Sequence, residues 1–228
     1  MSAVGSEGVK AETAEETVAP VNLSVVLDRS GSMQQIASDM IGGFEAFIEE
    51  QRHAEGDVRL SLVQFDSEDP FEVLIDGEDL STATLDARKY APRGLTPLLD
   101  AVGRMIARVD AGIAERSELG QTQEDQVVLV ITDGLENASK EYTLAAVKGL
   151  IEARKAAGWT FVFLGADQDS FLEGGRLGFA EKNRRDWVKT EAGTAQMWDG
   201  VSKSTLRYRE KERMLRRIEA DSFFDDDE

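Results

Sequence analysis

The run Val127–Ile131 (VVLVI) constrains the fold more than any other stretch of the chain. Its five consecutive apolar residues, four of them β-branched, leave no polar face for water. Such a run reads as a strand covered on both sides. Val21–Leu27 (VNLSVVL) and Trp159–Leu164 (WTFVFL) have the same character. Helical patterns separate these runs. Over Gln34–Arg52, Ile36, Met40, Phe44, Phe47 and Ile48 fall on one stripe, with Glu45, Glu49 and Glu50 opposite. A second stripe, Leu98, Val102, Met105, Ile106, Val109 and Ile113, follows Gly94-Leu95-Thr96-Pro97, where Pro97 suits the first helical position. A third helix is predicted over Thr143–Ala157 and ends at Gly158. Val58–Phe65 and Phe71–Ile75 flank a turn-like Asp66–Pro70 and read as a hairpin whose second strand is an antiparallel edge. Strand, helix, hairpin, helix, strand, helix, strand, helix is a doubly wound α/β pattern.

The ends of the chain read differently. Trp187-Val188-Lys189 is a short candidate edge strand, and Ala192 to about Ile218 has helical composition interrupted at Gly200. The charge density from Arg207 onward predicts a solvated or projecting end. A length of 228 residues suits one domain with tails. The expected division is a flexible acidic tail over 1–19, the domain over 20–209, and a charged helical extension with an acidic tail over 210–228.

Several function classes are excluded early. A net charge of −18 argues against nucleic acid as a partner, because phosphate binding needs a basic face. It favours cations and basic partner surfaces. The chain has no cysteine, so neither disulfides nor thiolate metal sites can form. The apolar runs are too short to cross a bilayer, and no secretory pattern opens the sequence, so a cytoplasmic protein without membrane contact is expected. His53, the single histidine, sits near the end of a polar helical stretch and is expected at the surface. No phosphate-binding G-x-x-x-x-G-K-[ST] loop is present. Gly174-Gly175-x-x-Gly178 lacks the dinucleotide spacing and is expected to be a flexible loop.

Asp28-Arg29-Ser30-Gly31-Ser32 lies where the first buried run gives way to the first helix. In an open α/β sheet that junction is at the carboxyl end of a strand, where such folds bind ligands. One acid and two hydroxyls spaced D-x-S-x-S offer oxygen donors only, which suit a hard divalent cation. Thr96 and Asp133 are further oxygen donors in similar settings. Each has a plainer reading: Asp28 as a helix cap, Thr96 as a cap before Pro97, Asp133 as a turn former with Gly134. If the three loops meet, Asp28, Ser30, Ser32, Thr96 and Asp133 hold one Mg²⁺, with Mn²⁺ or Ca²⁺ as alternatives. Two carboxylates and three hydroxyls would leave that ion electrophilic enough to accept a carboxylate from another molecule. Asp167 and Asp169 follow another strand end and read as loop and cap residues.

Asp28-x-Ser30-x-Ser32, the lone Thr96 and Asp133-Gly134 resemble, in order, the metal-ion-dependent adhesion site of von Willebrand factor type A domains. The resemblance covers about Val21 to the end of the fold. It implies a Rossmann-like, mostly parallel six-stranded sheet with one antiparallel edge strand and helices on both faces. It also implies that Ser30 and Ser32 ligate the metal directly. Asp28 would accept from surrounding hydroxyls and waters, and Thr96 and Asp133 would alternate between direct and water-mediated contact. The implied activity is non-enzymatic, binding a protein partner through its Asp or Glu. Leu27–Ser32 with Ile41-Gly42-Gly43-Phe44 resembles the compact intracellular bacterial and phage branch. Two alternatives remain open here. One is Mg²⁺-assisted phosphoryl transfer at the same rim, with Arg29 or Arg93 as the cation. The other is a scaffold that holds no metal. A further expectation concerns the acidic end. An acid among Asp225–Glu228 could supply the missing carboxylate, anchored by Phe223 and Phe224, against the plainer reading of a solubilising tail.

Overall fold

The computed structural model describes residues 18–224. The N-terminal tail expectation over 1–17 and the acidic residues 225–228 fall outside them. A six-stranded sheet runs in the order β3-β2-β1-β4-β5-β6. Its strands are β1 (Val21–Asp28), β2 (Val58–Phe65), β3 (Glu72–Asp79), β4 (Asp125–Thr132), β5 (Thr160–Ala166) and β6 (Arg184–Trp187). β3 pairs antiparallel with β2, and all other pairings are parallel. The mostly parallel Rossmann-like sheet with one antiparallel edge strand is therefore as expected.

The two central strands, β1 and β4, carry two of the apolar runs that the sequence marks as covered on both sides. Every residue of β1 and of β4 is buried. Side chains alternate between two cores because successive residues of a strand point to opposite faces. Leu23, Val25, Leu27, Leu129 and Ile131 join one core, under α1 (Ala37–Arg52) and α5 (Glu191–Glu210). Val26, Val128, Val130, Phe161 and Phe163 join the other, under α2 (Leu98–Glu118) and α3 (Leu144–Ala156). The first helix begins with a 3-10 stretch, Gly31–Ile36, which carries the chain from the end of β1 into α1. Among the described residues no helix is long and apolar enough to cross a membrane.

Two local expectations are corrected. Gly174, Gly175 and Gly178 are not a loop. The first two lie inside α4 (Asp167–Leu177), and Gly178 ends that helix with φ +97°. A left-handed C-terminal residue favours glycine. Gly174 is needed for contact rather than flexibility, since a Cβ there would press on the Phe163 ring at 2.6 Å.

The charged C-terminal stretch does not project. Arg209 donates to the carbonyls of Gln51, Ala54, Glu55 and Gly56, which ties the end of α5 to the end of α1. Arg216, on α6 (Arg213–Ile218), is 1% exposed. It donates to the carbonyls of Tyr208 at 2.9 Å, Arg209 at 2.6 Å and Ala19 at 2.7 Å, and pairs with Asp125 at 2.9 Å. Phe223 and Phe224 close the same core, with Arg185 stacked 4.2 Å over the Phe224 ring. Within that charge density Arg209 and Arg216 are taken up by backbone carbonyls and one carboxylate, while Glu210, Glu212 and Arg217 are exposed.

Losing Arg216 leaves the carbonyls of Tyr208, Arg209 and Ala19 without their donor and Asp125 with Arg213 alone, a loss of about 3 kcal/mol. Arg216→Met should therefore lower unfolding stability by about that amount. Urea denaturation with a shifted midpoint and an unchanged slope is the expected outcome.

Candidate metal centre

The carboxyl ends of β1 and β4 lie side by side, with Leu27 opposite Ile131 in the register. Asp28 and Asp133 are thus brought to one rim by two adjacent, fully buried strands. Asp28 is fully buried. Its Oδ1 accepts from the Ser30 amide at 2.6 Å, and its Oδ2 accepts from the Thr132 hydroxyl at 2.6 Å. Burial pushes the Asp28 carboxyl up to about 7 despite those hydrogen bonds. Positive charge nearby would favour its ionised form.

A chain of oxygens runs outward from there. The Ser30 and Ser32 hydroxyls are 3.0 Å apart, and Ser32 donates to Asp133 Oδ1 at 2.6 Å. Asp133 Oδ2 accepts from the Lys189 ammonium at 3.1 Å. Thr96 reaches the group from a third loop. A Cβ placed on Gly134 would lie 3.2 Å from Thr96 Oγ1. Four of the five candidate residues are therefore linked by hydrogen bonds, and the fifth lies against Gly134, next to Asp133.

The loops are fixed by contacts that involve none of the five side chains. Gly31 donates to the Gly94 carbonyl at 3.1 Å, and Arg93 donates through its amide to the Arg29 carbonyl at 2.9 Å. Those two bonds dock the Thr96 loop on the D-x-S-x-S loop. Thr96 is held again from the other side. Its amide donates to Asn137 Oδ1 at 2.8 Å, and the Asn137 amide donates to its carbonyl at 3.1 Å. The Tyr90 hydroxyl donates to the Asp28 carbonyl at 2.6 Å. Asp100, at the start of α2, accepts from the amides of Lys140, Glu141 and Tyr142 and pins the loop after Asp133.

Arg29 and Arg93 turn away from the oxygen chain. Arg29 pairs with Asp66 at 2.6 Å and with Glu72 at 2.6 Å, and Arg93 pairs with Asp66 at 3.1 Å. Burial alone would push the Asp66 carboxyl up. The amides of Asp69 and Glu68 and the two guanidinium groups outweigh it and hold the carboxyl below its ordinary value.

The donor set fits a hard divalent cation: two carboxylates and three hydroxyls, with no nitrogen or sulfur. Among the described residues no group of three or more His, Cys, Asp or Glu side chains converges as a metal cluster. Any metal reading therefore rests on the serine and threonine hydroxyls as much as on the acids.

Thr132, Tyr90, Asn137 and Lys189 were not singled out from the sequence as site residues. Thr132 alone carried a signal, as the last residue of the VVLVI strand before Asp133. Asp167 and Asp169 stand apart from the oxygen chain at the start of α4. The Asp167 carboxylate accepts from the Ser170 amide at 3.0 Å, so it caps that helix.

No family model matches the sequence, and no curated protein matches it either. Solved structures do. The pilus adhesin SpaC from Lactobacillus rhamnosus GG superposes with a TM-score of 0.64 at 15% identity, over 83% of this chain and 30% of the adhesin. A von Willebrand factor type A structure from Catenulispora acidiphila superposes with a TM-score of 0.55 at 12% identity, over 82% of this chain and 43% of that one. The fold is that of a von Willebrand factor type A domain. A third type A-like neighbour is proximal thread matrix protein 1 from the mussel byssus, with a zinc-occupied MIDAS motif. It superposes with a TM-score of 0.57 at 16% identity, over 82% of this chain and 48% of that protein. The chain thus spans less than half the length of each of these neighbours. In the type A fold described here, the oxygen chain sits at the carboxyl edge of the sheet.

Asp66 anchors both arginines that frame the rim. Asp66→Asn should cost about 3 kcal/mol of unfolding stability near neutral pH. The stabilisation is present above the unfolded value of 3.8 and is lost as pH falls through the lower folded value. The gap between wild type and variant should close along that acid limb when denaturation is followed against pH.

Proposed function

We propose that the chain is a metal-dependent protein-interaction module. In this reading one divalent cation, Mg²⁺ by preference and Mn²⁺ or Ca²⁺ as alternatives, is held by Asp28, Ser30, Ser32, Thr96 and Asp133. The observation that carries it is the run of oxygens from Asp28 through Ser30 and Ser32 to Asp133, at the carboxyl edge of a type A fold. The structural neighbour with a zinc-occupied MIDAS motif supports a divalent ion at such a rim. When bound, the cation supplies a Lewis-acidic position for a carboxylate oxygen.

The residues of the chain divide the remaining work. Ser30 and Ser32 present neutral oxygens, and neutral donors leave most of the cation's charge for an outside ligand. Asp28 stays behind them, fixed by Ser30 and Thr132, as the buried counter-charge. Asp133 is the second carboxylate, on the loop directly after β4, the strand next to β1. A protein partner offering an Asp or Glu side chain meets these requirements. The neighbour that is a pilus adhesin agrees with an interaction role.

The enzymatic alternative is less well supported. Phosphoryl transfer asks for a cation directed at the transferred group. Arg29 and Arg93 are committed to Asp66, Glu72 and Glu68. Within the chain we assign the domain to residues 20–209. Residues 210–224 form a strap that closes the core through Arg216, Phe223 and Phe224.

Mg²⁺ titration by calorimetry tests the reading. Wild type should bind one ion, and Asp133→Ala should lose at least a factor of ten in affinity, about 1.4 kcal/mol. Saturable binding that Asp133→Ala leaves unchanged would place the ion elsewhere and end this assignment.

A further inference from the structure

Lys189 enters the oxygen cluster from a direction the motif does not predict. It follows β6 by two residues, on the turn into α5. Its ammonium is 3.1 Å from Asp133 Oδ2, while Ser32 occupies Oδ1 of the same carboxylate at 2.6 Å. Asp133 is therefore engaged on both oxygens by the chain itself. A divalent ion that draws on Asp133 has to exchange with one of these two partners.

The two partners differ in how easily they yield. Ser32 is itself one of the proposed ligands, and a hydroxyl can hydrogen-bond to a carboxylate and donate a lone pair to a cation together. The Lys189 ammonium has no lone pair, carries positive charge and repels a dication on the same carboxylate. Its side chain is 37% exposed, whereas the Asp133 side chain is 0% exposed. The acid stays and the lysine can swing out on its four-carbon stem.

The backbone that carries Lys189 is fixed. The Thr190 amide donates to the Val188 carbonyl at 2.8 Å, and the Thr190 hydroxyl accepts from the Gly193 amide at 3.1 Å as the cap of α5. α5 approaches this turn so closely that a Cβ on Gly193 would collide with the Val188 carbonyl oxygen. The ammonium is thus tethered to a rigid point within reach of Asp133, and only the side chain moves. Other cations near the rim do not compete for this role, since Arg29 and Arg93 are held by Asp66.

We propose that Lys189 is a tethered competitor for the metal: its ammonium neutralises Asp133 until a divalent cation displaces it. The inference rests on the metal-site reading above and adds regulation to it. A built-in competitor raises the cation concentration at which the site fills. It also spares the protein a second uncompensated buried carboxylate beside Asp28.

Two variants and two readouts test it. Lys189→Met keeps the stem and removes the charge, and Lys189→Arg keeps the charge. Calorimetric Mg²⁺ titration should give Lys189→Met about tenfold tighter binding than wild type, with Lys189→Arg close to wild type. Thermal unfolding gives a readout independent of any partner. In chelator Lys189→Met should melt below wild type, and added Mg²⁺ should raise its melting temperature by more than it raises that of wild type. If wild type binds Mg²⁺ through Asp133 and Lys189→Met binds equally or more weakly, the competition is overturned while the metal site stands. If neither protein binds Mg²⁺, both readings fall together.

Discussion

A carboxylate at the end of a fully buried strand is the constraint on which the rest of this structure depends. Asp28 has no contact with solvent, and its carboxyl is raised to about 7 by that burial. A buried acid is tolerated only with hydrogen bonds or a counter-charge. The first requirement explains why Ser30 and Thr132 stand where they do, one on the same loop and one on the neighbouring strand. The second is not supplied by Asp133, whose like charge raises the Asp28 carboxyl further in a chain of net charge −18. Acids concentrated in this way make sense around a cation and raise the cost of the fold without one.

The arginines around the rim follow from the same problem. Two guanidinium groups near the oxygen chain would cancel its negative field. They are instead drawn outward to Asp66 and Glu72, where they bind the β2–β3 hairpin to the D-x-S-x-S and Thr96 loops. One buried acid thereby serves two purposes: it holds three loops in register, and it keeps positive charge off the donor oxygens. At the opposite end of the sheet the sorting is similar. Asp125 takes Arg213 and Arg216, and backbone carbonyls take Arg209.

The strands were legible because double burial makes the middle of β4, Val127–Ile131, wholly apolar and leaves only Asn22 and Ser24 polar in β1 before Asp28. Asp28, Ser30, Ser32 and Asp133 were legible because they fall directly after those strands, where the fold opens to ligands. Thr96 was ambiguous from its own residues, with a helix cap as the rival reading, and only the order of the five positions singled it out. Thr132, Tyr90, Asn137 and Lys189 act across 41 to 104 positions of sequence, and no local pattern marks such contacts. Two misreadings have the same origin. Glycines at 174, 175 and 178 suggest a loop, yet Gly174 is set by a ring packed from β5. Arginines from 207 onward suggest solvent, yet the partners of Arg209 are carbonyls more than 150 positions away.

What remains is a separation between rigid and movable groups. The hydroxyl and carboxylate oxygens sit on loops that are hydrogen-bonded to one another on several sides, so their spacing is set by the fold. The Lys189 ammonium is the exception, a charge on a flexible stem that leaves a fixed backbone. Rigid donors give a cation site its selectivity for ion size, because the cavity cannot collapse onto a smaller ion or open for a larger one. They give no means of tuning how readily the site fills. A flexible ammonium on the same carboxylate supplies that control without altering a single donor. Evolution could adjust the threshold by changing one exposed residue on the turn before α5 and leave the D-x-S-x-S geometry intact.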